Sequence, residues 1–148
     1  MSERLPVRWS VRLALLIAIV PPLLHVVPVD KLATWLGRSR GKREAPPISA
    51  LVARVDYWLR RLPWPWRSTC LKRAAVLYGL LRPAGEDVQL HIGVRRLPGK
   101  EFQAHAWLMR DGAPFVEPAG TGFDTFQMIT AFPEMHEGTP SVHTECPS

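Results

Sequence analysis

The spacing of apolar residues changes character once along this chain, and that change limits what it can fold into. From Ile48, apolar side chains recur at Leu51, Val52, Val55, Trp58 and Leu59, the spacing of one helix face. A second helical run passes through Leu71, Ala74, Ala75, Leu77, Tyr78 and Leu81, with Ser68 or Thr69 as its cap and Pro83 near its end. After Gly85 the period drops to two. Val88, Leu90, Ile92 and Val94 alternate with Gln89, His91, Gly93 and Arg95, which predicts a strand. A second strand follows over 102–109, and after Arg110-Asp111-Gly112 the chain returns over 113–117 as a hairpin. Helices followed by antiparallel strands predict the α+β class.

At 148 residues the chain has room for one compact domain. With 47% hydrophobic and 22% charged residues it is neither disordered nor fibrous. Two cysteines make neither a disulfide scaffold nor a four-cysteine zinc site, and no metal or cofactor is expected. Charge is unevenly distributed. Residues 1–73 carry 14 Lys and Arg against 4 Asp and Glu, whereas residues 74–148 carry 5 against 9. A basic half beside an acidic half predicts an electrostatic partner surface. Nucleic acid is not the expected partner, because no zinc finger, RNA-recognition signature or basic zipper is present.

The N-terminal segment has Arg4, Arg8 and Arg12 ahead of the apolar run Leu13 to Val20. Pro21-Pro22 follows where a secretory signal would need small residues for cleavage. The run also falls short of the ~20 apolar residues of a membrane span. We read a packed helix ended by the prolines, then a short helix capped by Asp30 and stopped by Gly37. Peripheral membrane contact by the Arg-flanked helix is a further expectation. The organisation expected is a helical segment and basic linker over 1–45, a core over 46–120 and a C-terminal extension over 121–148.

Three residues suggest chemistry. Cys70 falls in the first turn of its helix, where the partial positive charge of the helix start stabilises a thiolate. His105 lies on the second strand. Glu117 lies on the returning strand. A three-residue loop at Arg110-Asp111-Gly112 pairs Met109 with Ala113 and so sets His105 opposite Glu117, with Cβ atoms roughly 5 Å apart. A two-residue Asp111-Gly112 loop would send the two side chains to opposite faces. Asp111 itself lies about 20 Å along the strand from His105, too far to be its partner. A helix-start cysteine, a strand histidine and a carboxylate are the three parts of a cysteine acyl-transfer site. Among the other histidines, His91 is expected on a polar surface and His25 in packing. His136, His143 and Cys146 fall in a Pro/Gly/Ser-rich tail with little to order a metal site.

The run Ser68-Thr69-Cys70-Leu71 with Arg73, Leu77 and Leu80-Leu81, then Gly85, Leu90 to Arg95, Phe102-x-Ala104-His105-Ala106-Trp107 and Asp111-Gly112 resembles the lasso peptide biosynthesis B2 proteins. These are transglutaminase-like cysteine proteases that remove the leader from lasso peptide precursors. The resemblance spans about residues 48–118. It implies a papain/transglutaminase-like core, a cysteine-bearing helix on a small antiparallel sheet, behind an N-terminal helical preamble. It implies a catalytic triad of Cys70, His105 and Glu117, although the family's acid is commonly Asp. It also implies a lasso precursor as substrate, a separate leader-recognition protein (B1) as partner, an asparagine-synthetase-like macrolactam synthetase acting next, and a cytoplasmic location. Two other readings stay open on these residues: an acyltransferase on the same core, which passes through the same thioester, and a non-catalytic membrane-surface scaffold.

Overall fold

The computed structural model describes residues 4–38, 46–63, 69–99, 101–116 and 125–132. Among these residues, four helices precede four strands: α1 (Val7–Leu23), α2 (Val29–Leu36), α3 (Ile48–Arg61), α4 (Cys70–Leu81), β1 (Gln89–Arg96), β2 (Phe102–Arg110), β3 (Ala113–Phe115) and β4 (Gln127–Phe132). The α+β expectation holds. The strands form one antiparallel sheet in the order β3-β2-β1-β4.

The helix starts follow one local rule with one exception. Pro6, Pro28 and Pro47 precede α1, α2 and α3, each with φ between −51° and −56° and with no side-chain cap bond. The proline ring holds the chain extended just before the helix without using a donor that the helix needs. Asp30 is therefore not the cap of α2. It lies in the first turn, where a carboxylate favours the helix dipole. Helix α4 is the exception. Thr69 is extended (φ −125°, ψ 160°), and its Oγ1 accepts a hydrogen bond from the Lys72 backbone N–H at 3.3 Å.

The prolines of α1 also require a correction. The helix runs through Pro21 and Pro22 to Leu23. Both prolines fall in its last turn, and Pro21 is buried, so packing offsets the lost amide donors. Gly37 ends α2 for a reason other than the one expected. Its φ is −79°, not left-handed. A Cβ there would come within 2.5 Å of the Tyr78 hydroxyl. The glycine is needed because α2 ends hard against a buried tyrosine of α4. Burial also pushes the Tyr78 phenol pKa up, an effect that nearby Arg82 partly opposes.

Helix α4 is the centre of the fold. Every residue from Ala74 to Leu81 is buried, and α1, α2, α3, β1 and β2 all pack on it. An all-round apolar surface is what a fully enclosed helix requires. Leu51, Val55 and Leu59 supply the buried stripe of α3. Leu90, Ala106, Leu108 and Phe132 supply the sheet's contribution to the same core. Leu62 ends α3 in an extended conformation (ψ 144°) ahead of Pro63, as residues before proline do.

Two features of the sheet differ from expectation. The hairpin loop has two residues, not three. Arg110 pairs with Ala113, Met109 with Pro114 and Leu108 with Phe115. Asp111 and Gly112 have φ of 52° and 75°, the two positive values of a type I′ turn. That turn matches the right-handed twist of the strands, and Asp tolerates the left-handed region, so Arg110 stays in the ladder. Its guanidinium lies 4.0 Å from the Phe115 ring centre and bonds Glu86 at 3.0 Å. The second feature is β4, which falls in the segment read as an extension. It pairs with the central strand β1 across a bulge at Ile92/Gly93.

Candidate active site

Cys70 is the first residue of α4 and is half-buried with a free thiol. Its location follows from the cap. Thr69 turns the chain into the helix and satisfies the Lys72 amide, while the Thr69 carbonyl accepts from the Arg73 amide at 3.0 Å. The first turn contains no acidic residue. The Cys70 side chain therefore sits at the positive end of the helix dipole.

Arg73 fixes this helix start against the rest of the protein. Its Nε donates to Asp56 Oδ1 at 2.6 Å and its Nη2 to Asp56 Oδ2 at 3.3 Å, a two-point clamp onto α3. The same Nη2 donates to the Val116 carbonyl at 2.9 Å. That carbonyl belongs to the residue that leaves β3. Val116 has φ 54°, a strained conformation for a β-branched residue. One arginine thus joins the first turn of α4, helix α3 and the exit from the hairpin.

His105 lies in the middle of β2, opposite Gly93 of β1. Its ring lies nearly parallel to Trp107, 5.8 Å between centroids and 16° between planes. Phe126 lies against both rings, 5.2 Å from His105 and 6.3 Å from Trp107. Gly93 is what admits this stack. A Cβ there would stand 2.7 Å from the Trp107 ring and 2.8 Å from the Gln127 carbonyl. Phe126 is in turn covered by Arg95 at 4.4 Å, and Arg95 bonds Gln103 and Thr125. His91 also belongs to this face, bonded to Gln89 at 3.0 Å and 5.9 Å from Trp107. It is half-buried rather than on an open surface, and burial lowers its pKa. His25, expected in packing, is exposed in the turn after α1.

The structure packs the helix that Cys70 opens against the strand that carries His105. It places His105 on the Trp107 row of β2, alternate to the Ala106 and Leu108 row that enters the core. Glu117 lies outside the described residues, as do Asp124, His136, His143 and Cys146. The expected register that set Glu117 opposite His105 is nevertheless corrected, because the β2–β3 ladder closes at Leu108 and Phe115 under the two-residue turn. The role of Glu117 therefore rests on the family resemblance alone. Asp111 is fixed as a turn residue. We expect Asp111→Asn to leave kcat unchanged and stability within about 0.5 kcal/mol, since Asn also tolerates the left-handed region. Glu117→Gln should lower kcat by roughly 10–10³-fold, less than the loss on changing the acid of a serine triad, because the thiolate depends less on it. Steady-state cleavage of a precursor peptide compares the two. A silent Glu117→Gln would move the acid elsewhere, with Asp124 the next to change.

The model of the transglutaminase-like superfamily matches residues 7–130, from the start of α1 into β4. The chain belongs to the transglutaminase-like superfamily. No curated protein and no solved structure matches it significantly. Transglutaminase-like proteins are generally cysteine proteases or acyltransferases, and a thiol at a helix start packed against a histidine strand fits that chemistry. The match includes α1 and α2, whose buried faces join the same core as α3 and α4. Sequence reasoning missed two parts of the site. Phe126 is a single aromatic at the edge of a six-residue strand that periodicity did not detect. The role of Arg73 depends on Asp56 and Val116, residues 17 and 43 positions away. Among the described residues no group of three His, Cys, Asp or Glu side chains could hold a metal ion, and no helix is long and apolar enough to cross a membrane.

Proposed function

We propose that this transglutaminase-like protein is a cysteine peptidase that removes the leader from a ribosomally made lasso peptide precursor. The observation that carries the reading is the anchored helix start. Cys70 opens a helix whose first turn is clamped by Arg73 to α3 and to the hairpin exit, and that helix packs on the His105 strand. The finer assignment rests on the resemblance of the Thr69-Cys70 and His105-Ala106-Trp107 segments to the B2 proteins. In the reaction the Cys70 thiolate adds to the scissile carbonyl. The His105 imidazolium returns its proton to the departing amine, which leaves a thioester on Cys70. Water then adds, with His105 as base, and releases the leader acid. Glu117 would orient the imidazole.

Leader affinity in this reading comes from a separate recognition protein, and the released core peptide passes to a macrolactam synthetase. Holding the leader beside the protease makes the encounter effectively intramolecular, which is worth roughly 10²-fold at micromolar reactants. Cleavage of the precursor, followed by mass spectrometry with and without the recognition protein, is expected to show a gain of about that size. Equal rates would remove the partner from the scheme. No leader acid under either condition would remove the peptidase assignment, and an amide product with an added amine would replace hydrolysis by acyl transfer.

A further inference from the structure

Helix α1 is apolar on the side that faces away from the protein as well as on the side that faces in. Trp9, Leu13, Leu16, Ile17 and Val20 are buried. Val7, Val11, Leu15 and Ile19, spaced by four, are 80%, 53%, 55% and 40% exposed. Ala14 and Ala18 are exposed beside them. The polar residues of the helix that reach solvent are Arg8 and Ser10. The row extends about 18 Å along the axis. An uncovered apolar strip of this length marks an interaction surface.

The neighbouring helix continues the surface. Trp58 and Tyr57 of α3 are 43% and 47% exposed, and Arg61 lies over the Tyr57 ring at 4.7 Å. Between the helices lies a cleft of about 660 Å³, lined by Leu13, Ala14, Ile17, Trp58 and Leu62 with Arg54 at its side. The exposed charge of this layer is predominantly positive. Arg4, Arg8, Arg54, Arg60 and Arg61 are exposed. The carboxylates among the described residues of α1 to α3 are Asp30 and Asp56, and Asp56 is held by Arg73.

We propose that the outer face of α1, with the aromatic edge of α3, docks on an anionic lipid bilayer. An apolar row bordered by arginines and by Trp and Tyr is the composition of a helix that lies in the plane of an interface. The cations complement acidic headgroups and find almost no carboxylate on their own surface to neutralise them. A specific protein partner would need roughly one hydrogen bond per 100–200 Å² of contact, and the outward face of α1 offers only Ser10 and Arg8. A bilayer interior needs none. Docking this way uses α1 and α3 and does not use β2, the strand that carries His105. The proposal is independent of the substrate assigned above.

Sedimentation of the full chain with phosphatidylcholine vesicles, with and without about a quarter phosphatidylglycerol, tests the idea. Binding is expected to the mixed vesicles, to weaken with salt and to be slight without the acidic lipid. The pair Val11→Glu and Leu15→Glu should lower partitioning on the order of 100-fold. The pair Arg4→Ser and Arg8→Ser should lower it about 30-fold, roughly fivefold for each cation, without touching the apolar row. Both pairs change exposed side chains, and circular dichroism checks that helicity is kept. Equal sedimentation of wild type and both variants overturns the proposal. So does a wild type that ignores acidic vesicles, and if it self-associates through Val11 and Leu15 the face belongs to a protein contact instead.

Discussion

Cys70→Ala is expected to abolish precursor cleavage, with a loss on the order of 10⁵–10⁶ in kcat, comparable to removal of the nucleophile from a serine triad. That corresponds to about 7–8 kcal/mol of transition-state stabilisation. The size follows from covalency. Without the thiol no thioester forms, and neither imidazole nor helix dipole supplies another nucleophile at that position. The fold should be unaffected. Cys70 is the half-buried first residue of α4, outside the enclosed run Ala74–Leu81, and the Thr69 cap bond goes to the Lys72 amide rather than to the thiol. Alanine is also a good helix former. Thermal unfolding and cleavage measured on the same preparation separate activity from stability. Iodoacetamide should label Cys70 in competition with precursor. An alanine variant that cuts at the wild-type rate would rule out this thiol as the nucleophile.

The second large effect is expected at His105. Loss of a positioned general base costs typically 10²–10⁴-fold, and here the same ring serves both half-reactions, so His105→Ala should lose roughly 10³-fold or more. Alanine also removes the stack on Trp107 and Phe126, so a second variant is needed. His105→Phe keeps a flat ring against both and removes only the proton chemistry. Equal losses in the two variants assign the effect to proton transfer. A phenylalanine variant that retains a tenth or more of wild-type activity would reduce His105 to a packing residue. The rate of Cys70 alkylation by iodoacetamide gives a readout independent of substrate, and both variants should slow it if the imidazole activates the thiol.

Elements whose buried faces are continuous in sequence can be read from the sequence. Leu51, Val55 and Leu59 announce α3, and the alternation from Val88 to Val94 announces β1, because each pattern has the period of the backbone that carries it. Cys70 and His105 stand out for the same reason: a cap followed by a helix fixes one, and a strand run fixes the other. Strand β4 was not legible. Its first three residues are exposed, only Phe132 is buried, and it pairs across a bulge, so little alternation marks it. The hairpin register turned on one residue of loop length, and composition allowed both choices. The structure settled it through two positive φ values at Asp111 and Gly112.

The sequence by itself determined the helix-then-strand order, the placement of Cys70 at a helix start and His105 on a strand, and the uneven charge between the two halves. These depend on neighbours within a few positions, where propensity, capping and period act directly. Tertiary structure alone decided that α1 continues through its prolines, because burial of Pro21 offsets a cost that local rules count in full. It decided that Gly37 and Gly93 are there for space, against Tyr78 and Trp107, and not for turn geometry. It decided that Arg73 spans α3, α4 and the hairpin exit. Each of these is a meeting of residues far apart in sequence, and no local pattern encodes which distant surface a side chain will touch.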